Sequence, residues 1–312
     1  MTDVTSKTLQ VHDDEHAPAA VRVETPLRQF VSNYFESRIA AIALIVLGLI
    51  VVLALAAPWF VPQNPYDLAQ VDVMENRLPP GSKSFQGYTF WLGTDGAGRD
   101  LMSAIFYGLR ISLSVGVASG GIALIIGSSI GLVASYMGGR TESIIMRIVD
   151  LQLSFPAVLV ALILVAILGK GVDKIIIALI VVQWAYYART VRGTALVERS
   201  KEYVEAAQCL GLSHGRILFG HILPNCLAPL IVVGTVQTAH AIALEATLSF
   251  LGVGLPQTEP SLGLLISNGF EYMLSGRYWI SFFPGIALLV TIMTINLVGD
   301  QLRDVLNPRL QR

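Results

Sequence analysis

Of the 312 residues, 54% are hydrophobic and only 14% are charged, against roughly 25% charged in an average soluble domain, so the chain reads as a membrane protein. A formal net charge of -1, with 21 Lys and Arg confined to short stretches, offers no basic field to a nucleic acid. Cys209 and Cys226 stand in no C-x-x-C or C-x-x-H setting, which suggests neither a disulfide framework nor a metal site.

A polar tail, residues 1–38, comes first. The apolar run that follows starts too late and runs too long for a secretory signal, although Ala54-Leu55-Ala56 looks like a cleavage site, so residues 39–61 are expected to be an uncleaved first transmembrane helix. A helix needs about 20 mostly apolar residues to cross a hydrocarbon core. Residues 111–137, 148–168, 222–251 and 278–298 meet that standard, and 175–188 makes a short sixth span. Lys174 and Arg189 at the ends of the short run can snorkel and extend it. The expectation is an all-α polytopic membrane protein with six transmembrane helices. Residues 62–109, with "NPYD", "LPPG" and "GTDGAGRD", read as a long extracytoplasmic connection rich in turn chemistry. A five-helix core over 110–300, interrupted by a polar loop over 189–221, and a tail over 301–312 complete the chain. Gly116/Gly120 and Gly127/Gly131 place small residues one turn apart, which favours close packing of helices.

Basic residues set the orientation. With six spans, 14 of the 21 fall on one side: Lys7, Arg22, Arg28 and Arg38, then Arg140 and Arg147, then the 189–221 loop, then Arg303, Arg309 and Arg312. Both termini are therefore expected in the cytoplasm.

Candidate chemistry is sparse. None of the five Lys fits the G-x-x-x-x-G-K-[ST] loop that cradles a nucleotide phosphate, and no H-E-x-x-H or G-x-S-x-G motif is present, so the chain has no evident ATPase, protease or lipase site of its own. Asp150, near the inner end of the third span, is expected to pair with Arg147 one turn back or to meet water. Glu245, toward the outer end of the fifth span, with Gln237 and His240 on the same helix, either lines a polar path or makes a helix-to-helix hydrogen bond, since a carboxylate in a membrane is costly.

The stretch "KEYVEAAQCLGLSHGRILFGHILP" interrupts the apolar pattern. Its first half has strong helix formers ended by Gly211, which suits a left-handed C-terminal cap. Ser213 can cap a second short helix over 214–221, and Pro224 falls in the first turns of the fifth span. The expected product is a cytoplasmic hairpin of two short helices, with Ala206 and Ala207 leaving one face flat for a partner.

Glu205-Ala206-Ala207, Gly211 and Leu223-Pro224 resemble the E-A-A-x-x-x-G-x(9)-I-x-L-P loop of the membrane subunits of ABC importers, with His221 where the pattern has Ile. "LGTDGAGRDLMSAIFYGLRISLSVG", "EATLSFLGVGLPQTEP" and "NLVGDQLRDVLNPRL" resemble, more narrowly, the C-type permease subunit of dipeptide and oligopeptide importers, with Ala104 where many relatives carry Arg. The likeness runs from about residue 27 to the end. It implies a type I ABC importer permease fold in a bacterial cytoplasmic (inner) membrane. It further implies a second, related permease subunit, two ABC ATPase subunits that use ATP and Mg, and an extracytoplasmic solute-binding protein, with no cofactor bound by this chain. Glu205 to Gly211 would be the coupling helix and its turn, inserted in a cleft of the ATPase. The same subunit type also serves importers of glutathione, nickel or opine-like solutes. An ion-coupled secondary transporter is the rival from another class; it would place ionisable residues or broken helices near the midplane. A membrane-embedded enzyme would need a nucleophile and base at recognisable spacing.

Overall fold

The fold is that of a computed structural model, which describes residues 26–306 apart from 68 and 260. Lys7, Arg22, Arg309 and Arg312, counted above for orientation, and the last residues of "NLVGDQLRDVLNPRL" and "EATLSFLGVGLPQTEP" lie outside the described residues. Among the described residues, five helices are long and apolar enough to cross a membrane, or six if one bent helix pair counts as a span.

The chain begins with amphipathic α1 (Pro26–Phe35), inside the stretch expected to be a plain tail. Its Tyr34 packs with Ala40 and Val305, and the Gln301 side chain donates to the Asn33 carbonyl at 3.4 Å. The Ser37 hydroxyl caps α2 (Arg38–Phe60), accepting from the Ala40 N–H at 3.3 Å. The connection after α2 is a folded cap rather than a string of turns. It includes an antiparallel pair, β1 (Ser82–Lys83) with β2 (Thr89–Phe90), in the register Ser82 to Phe90.

The second span, α3 (Leu101–Met137), starts ten residues before the expected boundary. Asp100 is the reason: its carboxylate accepts the Ser103 N–H at 2.9 Å and the Ser103 hydroxyl at 2.5 Å, satisfying donors that a helix start leaves orphaned. The expected unbroken third span is instead α4 (Gly139–Ser154) and α5 (Ala157–Leu168), bent by 91°. Pro156 cannot donate to the ladder and pushes the preceding residue out of helical geometry; Phe155 is extended at φ -88 and ψ 141. Alone, α5 is about 18 Å long and too short to span.

The short sixth run is the middle of a full-length helix, α6 (Val172–Arg199). Residues 189–199, read as loop, stay helical because their cations find partners: Arg189 pairs with Asp150, and Arg192 with Glu142 at 2.5 Å. Then come α7 (Glu202–Cys209), α8 (His214–Ile217), a π-helical segment (Leu218–Ile222), α9 (Leu223–Phe250), α10 (Leu262–Phe270) and α11 (Trp279–Leu306). Residues 301–306, assigned to the tail, thus belong to α11.

Glycines bring the spans together. A Cβ on Gly127 or Gly131 of α3 would strike the carbonyl of Trp184 or Ala188 on α6, and one on Gly116 would meet Ile242 of α9. The small-residue reading therefore holds: α3 packs on α6 backbone to backbone, and its Gly116 and Gly120 seat Ile242 and Thr238 of α9. α2 and α11 close the bundle through Ile50, Ala54, Leu101, Trp279 and Ile280.

Candidate functional site

At one end of the bundle, α7 and α8 form the interruption seen in the sequence. The turn between them is a complete Schellman motif: the Leu212 N–H reaches the Ala207 carbonyl at 3.2 Å, and the Gly211 N–H reaches Gln208 at 2.9 Å. Gly211 takes the left-handed conformation at φ 70, which a side chain would strain. The expected cap is present. The expected second half differs, since α8 runs through the π segment into α9 as one 37-residue helix, His214–Phe250. Ser213 occupies the N-cap position without a side-chain capping bond. The π slip is visible where the Leu223 N–H bonds to the Leu218 carbonyl, and Pro224 follows at once, where a missing N–H is tolerated.

The six motif residues divide by burial. Ala207 and Leu223 join the cluster of Leu132, Val191, Val204, Ile217 and Cys226, whereas Glu205, Ala206, Gly211 and Pro224 are exposed. Leu210, at the tip, is 80% exposed. Three spans hold this element in place. Arg199 of α6 donates to the carbonyls of Ser135 at 2.6 Å and Tyr136 at 3.1 Å, capping the α3 C-terminus with the charge its dipole favours. Tyr136 shares a 2.7 Å hydrogen bond with His214 Nδ1. Tyr203 of α7 donates to Glu198 at 2.9 Å and accepts from Asn225 at 3.2 Å; burial and the neighbouring Glu198 push its phenol up to about 12, so it stays a donor at neutral pH. Sequence reasoning missed Arg199, Tyr136, Tyr203 and Asn225, whose partners lie up to 78 residues away. Only the basic side chain at the end of a helical run hinted at Arg199.

The three pathway candidates do not come together. Glu245 is 0% exposed and accepts from Ser112 at 2.8 Å and Ser249 at 2.7 Å, a tie between α3 and α9. His240 lies on the exposed face of α9. Gln237 is buried and lines a cavity of about 830 Å³ bounded by α4, α6, α9 and α11, with Arg189 and Arg303 also in its wall. Asp150 pairs with Arg189 and not with Arg147 as expected, because the approach of α4 to α6 brings the across-helix cation closer.

At the opposite end, "GTDGAGRD" is the centre of the cap. Asp95 and Arg99 form a buried ion pair at 2.7 Å, their side chains 1% and 7% exposed. Thr94 accepts from the Leu78 N–H at 2.7 Å and donates to the Glu75 carbonyl at 2.6 Å. Buried Glu75 takes the Ser84 hydroxyl at 3.1 Å and the Phe85 N–H at 2.5 Å. Arg99 also reaches the Gln257 carbonyl at 3.3 Å, fastening the cap to the segment before α10.

A bundle of spans with an open cavity in its side, capped at one end and carrying an exposed glycine-ended helix at the other, is the build of a polytopic transport component. The model of the binding-protein-dependent transport system inner membrane component matches residues 123–312, and that of the N-terminal TM domain of oligopeptide transport permease C matches residues 25–80. A Brucella suis protein is 41% identical over 86% of this chain and 88% of its own length. The di/tripeptide transport system permease protein DppC of Pseudomonas aeruginosa is 35% identical, over 96% of this chain and 98% of that protein. For the oligopeptide transport system permease protein OppC of Bacillus subtilis the figures are 37%, 90% and 88%. A chain of the inward-facing MetNI methionine ABC transporter shares the fold, with a TM-score of 0.55 at 20% identity over 66% of this chain and 98% of that one. The chain belongs to the family of inner-membrane components of binding-protein-dependent transport systems. That membership implies ATPase and binding-protein partners.

Proposed function

We propose that this chain is one of two related permease subunits of an ATP-driven importer of short peptides, with ATP and Mg used by separate ATPase subunits docked on α7. The observation that carries the reading is the exposed α7, with its Schellman turn at Gly211, anchored to α3, α6 and α9 at once. A push on such an element moves three spans together, and alternating access needs that kind of link between a docked partner and a bistable bundle. Peptide as substrate is supported by the names of the relatives, and an external energy source by the lack of a phosphate-cradling lysine motif. In this reading the α7 end is cytoplasmic, and the cap end faces the binding protein. His240, polar on an exposed face of α9, lies toward the pathway or the second subunit, since lipid contact would be costly there. Glu245 is a structural tie.

The broken pair α4 and α5 is the one feature that a secondary transporter would share. No carboxylate lies at the break, and nearby Asp150 is already paired with Arg189. Uptake of labelled trialanine into vesicles carrying the whole transporter tests the proposal. It is expected to fall to background when the ATPase subunits are omitted, and uptake that persists would overturn it.

A further inference from the structure

The cavity beside Gln237 has an unusual chemical make-up. Most of its wall is aliphatic, from Leu153 of α4 through Val232, Val233 and Val236 of α9. Gln237 is a buried amide in this apolar wall, and Gln183 packs behind it. Gln237 is 5% exposed and Gln183 1%; the Gln183 amide donates to the Gln237 backbone carbonyl at 3.0 Å, and the side-chain oxygens of both have no hydrogen-bond partner among the described residues. Buried amide oxygens without partners are costly, and natural proteins keep few of them. Two arginines also line the cavity. Arg189 is neutralised by Asp150. Arg303, in the last turn of α11, has no ion pair among the described residues.

Size points the same way. The lining runs along α9 from Ala228 to Gln237, about 14 Å at the helical rise, and an extended peptide at about 3.4 Å per residue would place roughly four residues in that length. A site that takes many sequences must read what all peptides share, namely backbone amides and a terminal carboxylate, while apolar walls receive side chains with little discrimination.

We propose that this cavity is a transit site for a short peptide, in which Gln237 accepts a peptide N–H and Arg303 holds the terminal carboxylate. The inference rests on the importer reading above and adds the residues that recognise the cargo inside the membrane. Arg189, held by Asp150, shapes the mouth without competing for the anion. Arg303 is the specificity-determining residue, because a guanidinium grips a carboxylate through paired donors in fixed geometry.

The test uses the whole transporter with its binding protein in vesicles and compares uptake of trialanine with that of trialanine amide, which lacks the carboxylate. Selection by the binding protein is the same in every variant, so changes in the acid-to-amide ratio report on this chain. Arg303→Gln is expected to lower the ratio by about tenfold, the scale of one charge-assisted hydrogen bond, and Arg303→Lys to retain most of it. Gln237→Leu is expected to slow acid and amide alike and leave the ratio unchanged. An unchanged ratio in Arg303→Gln with ATP-dependent uptake intact would overturn the transit site and spare the importer reading. Equal loss of the ratio in the Lys and Gln variants would assign Arg303 a structural role and overturn it too. Failure of the unmodified transporter to take up either peptide would instead remove the peptide reading itself.

Discussion

The two ends of the bundle are built on opposite principles. At the cap end, polar groups are turned inward: Asp95, Arg99, Thr94 and Glu75 are all buried and bonded to one another or to nearby backbone. At the α7 end, polar and apolar groups alike are turned outward, with Glu205, Ala206, Leu210 and Gly211 exposed around a turn that only backbone hydrogen bonds define. The cap end is fastened by its own buried polar bonds, although Met74 and Phe85 stand exposed on its outside. The other presents an exposed, glycine-ended turn with Leu210 at its tip, the surface that the proposed ATPase contact would cover.

Breaking the cap should therefore cost stability, whereas altering α7 should cost coupling. The largest effect is expected from Arg99→Ala, which leaves the Asp95 carboxylate buried without its cation; such a loss costs about 3 to 5 kcal/mol. Thermal unfolding of the purified transporter checks this, and a melting point equal to that of the unmodified protein would show that the cap is not closed around the pair. A matched pair of glycines gives a finer comparison. Gly98 and Gly211 both have positive φ, 87 and 70, but a Cβ on Gly98 would strike the Asp72 carbonyl, and one on Gly211 meets nothing within 4 Å. Gly98→Ala should cost about 2 to 4 kcal/mol, as strain adds to overpacking. Gly211→Ala should cost about 1 kcal/mol, the left-handed penalty alone. Uptake per ATP hydrolysed should drop severalfold in Gly211→Ala, with little change in melting point, and equal effects of the two substitutions on stability would erase the contrast.

What the sequence revealed follows the same division between local and distant causes. The apolar runs and the Gly211 cap were legible, because helix length and a C-terminal glycine are written in consecutive residues. The early start of α3 and the break of the third span were also local, in Asp100 with Ser103 and in Phe155-Pro156, and greater weight on capping and on proline would have found both. The extension of α6 to Arg199 was not legible. It depends on Asp150, Glu142 and the end of α3, which are 39 to 64 residues away. The buried role of Glu245 depends likewise on Ser112, 133 residues distant. Hydropathy made it a candidate for the pathway, and only packing shows it as a tie.

The link between α6 and α3 tests the outward-facing end with a smaller effect. Arg199→Gln removes the cationic cap from the α3 carbonyls and should cost about 1 kcal/mol. Because this contact ties α3 to the end of α6 just before α7 begins, hydrolysis should persist while, on the proposed coupling role, its stimulation by the loaded binding protein weakens. Stimulation at the level of the unmodified protein would detach Arg199 from coupling.

The smallest effect concerns pH and belongs to the cap. Burial raises the Asp100 carboxyl above the ordinary carboxylate range, and the hydrogen bonds from Ser103 only partly offset this. The folded chain then holds the Asp100 proton more tightly than the unfolded chain does, so between the two values the folded state binds more protons, and stability falls as pH rises through that window. Below the unfolded value this contribution is fully present; above the folded value it is lost. Asp100→Asn removes the titration and keeps a side-chain oxygen able to accept at the start of α3. Melting points of the two proteins across the acidic range should thus diverge in favour of the unmodified chain as pH is lowered, and a difference that stays constant with pH would mean that Asp100 remains ionised in the folded cap throughout.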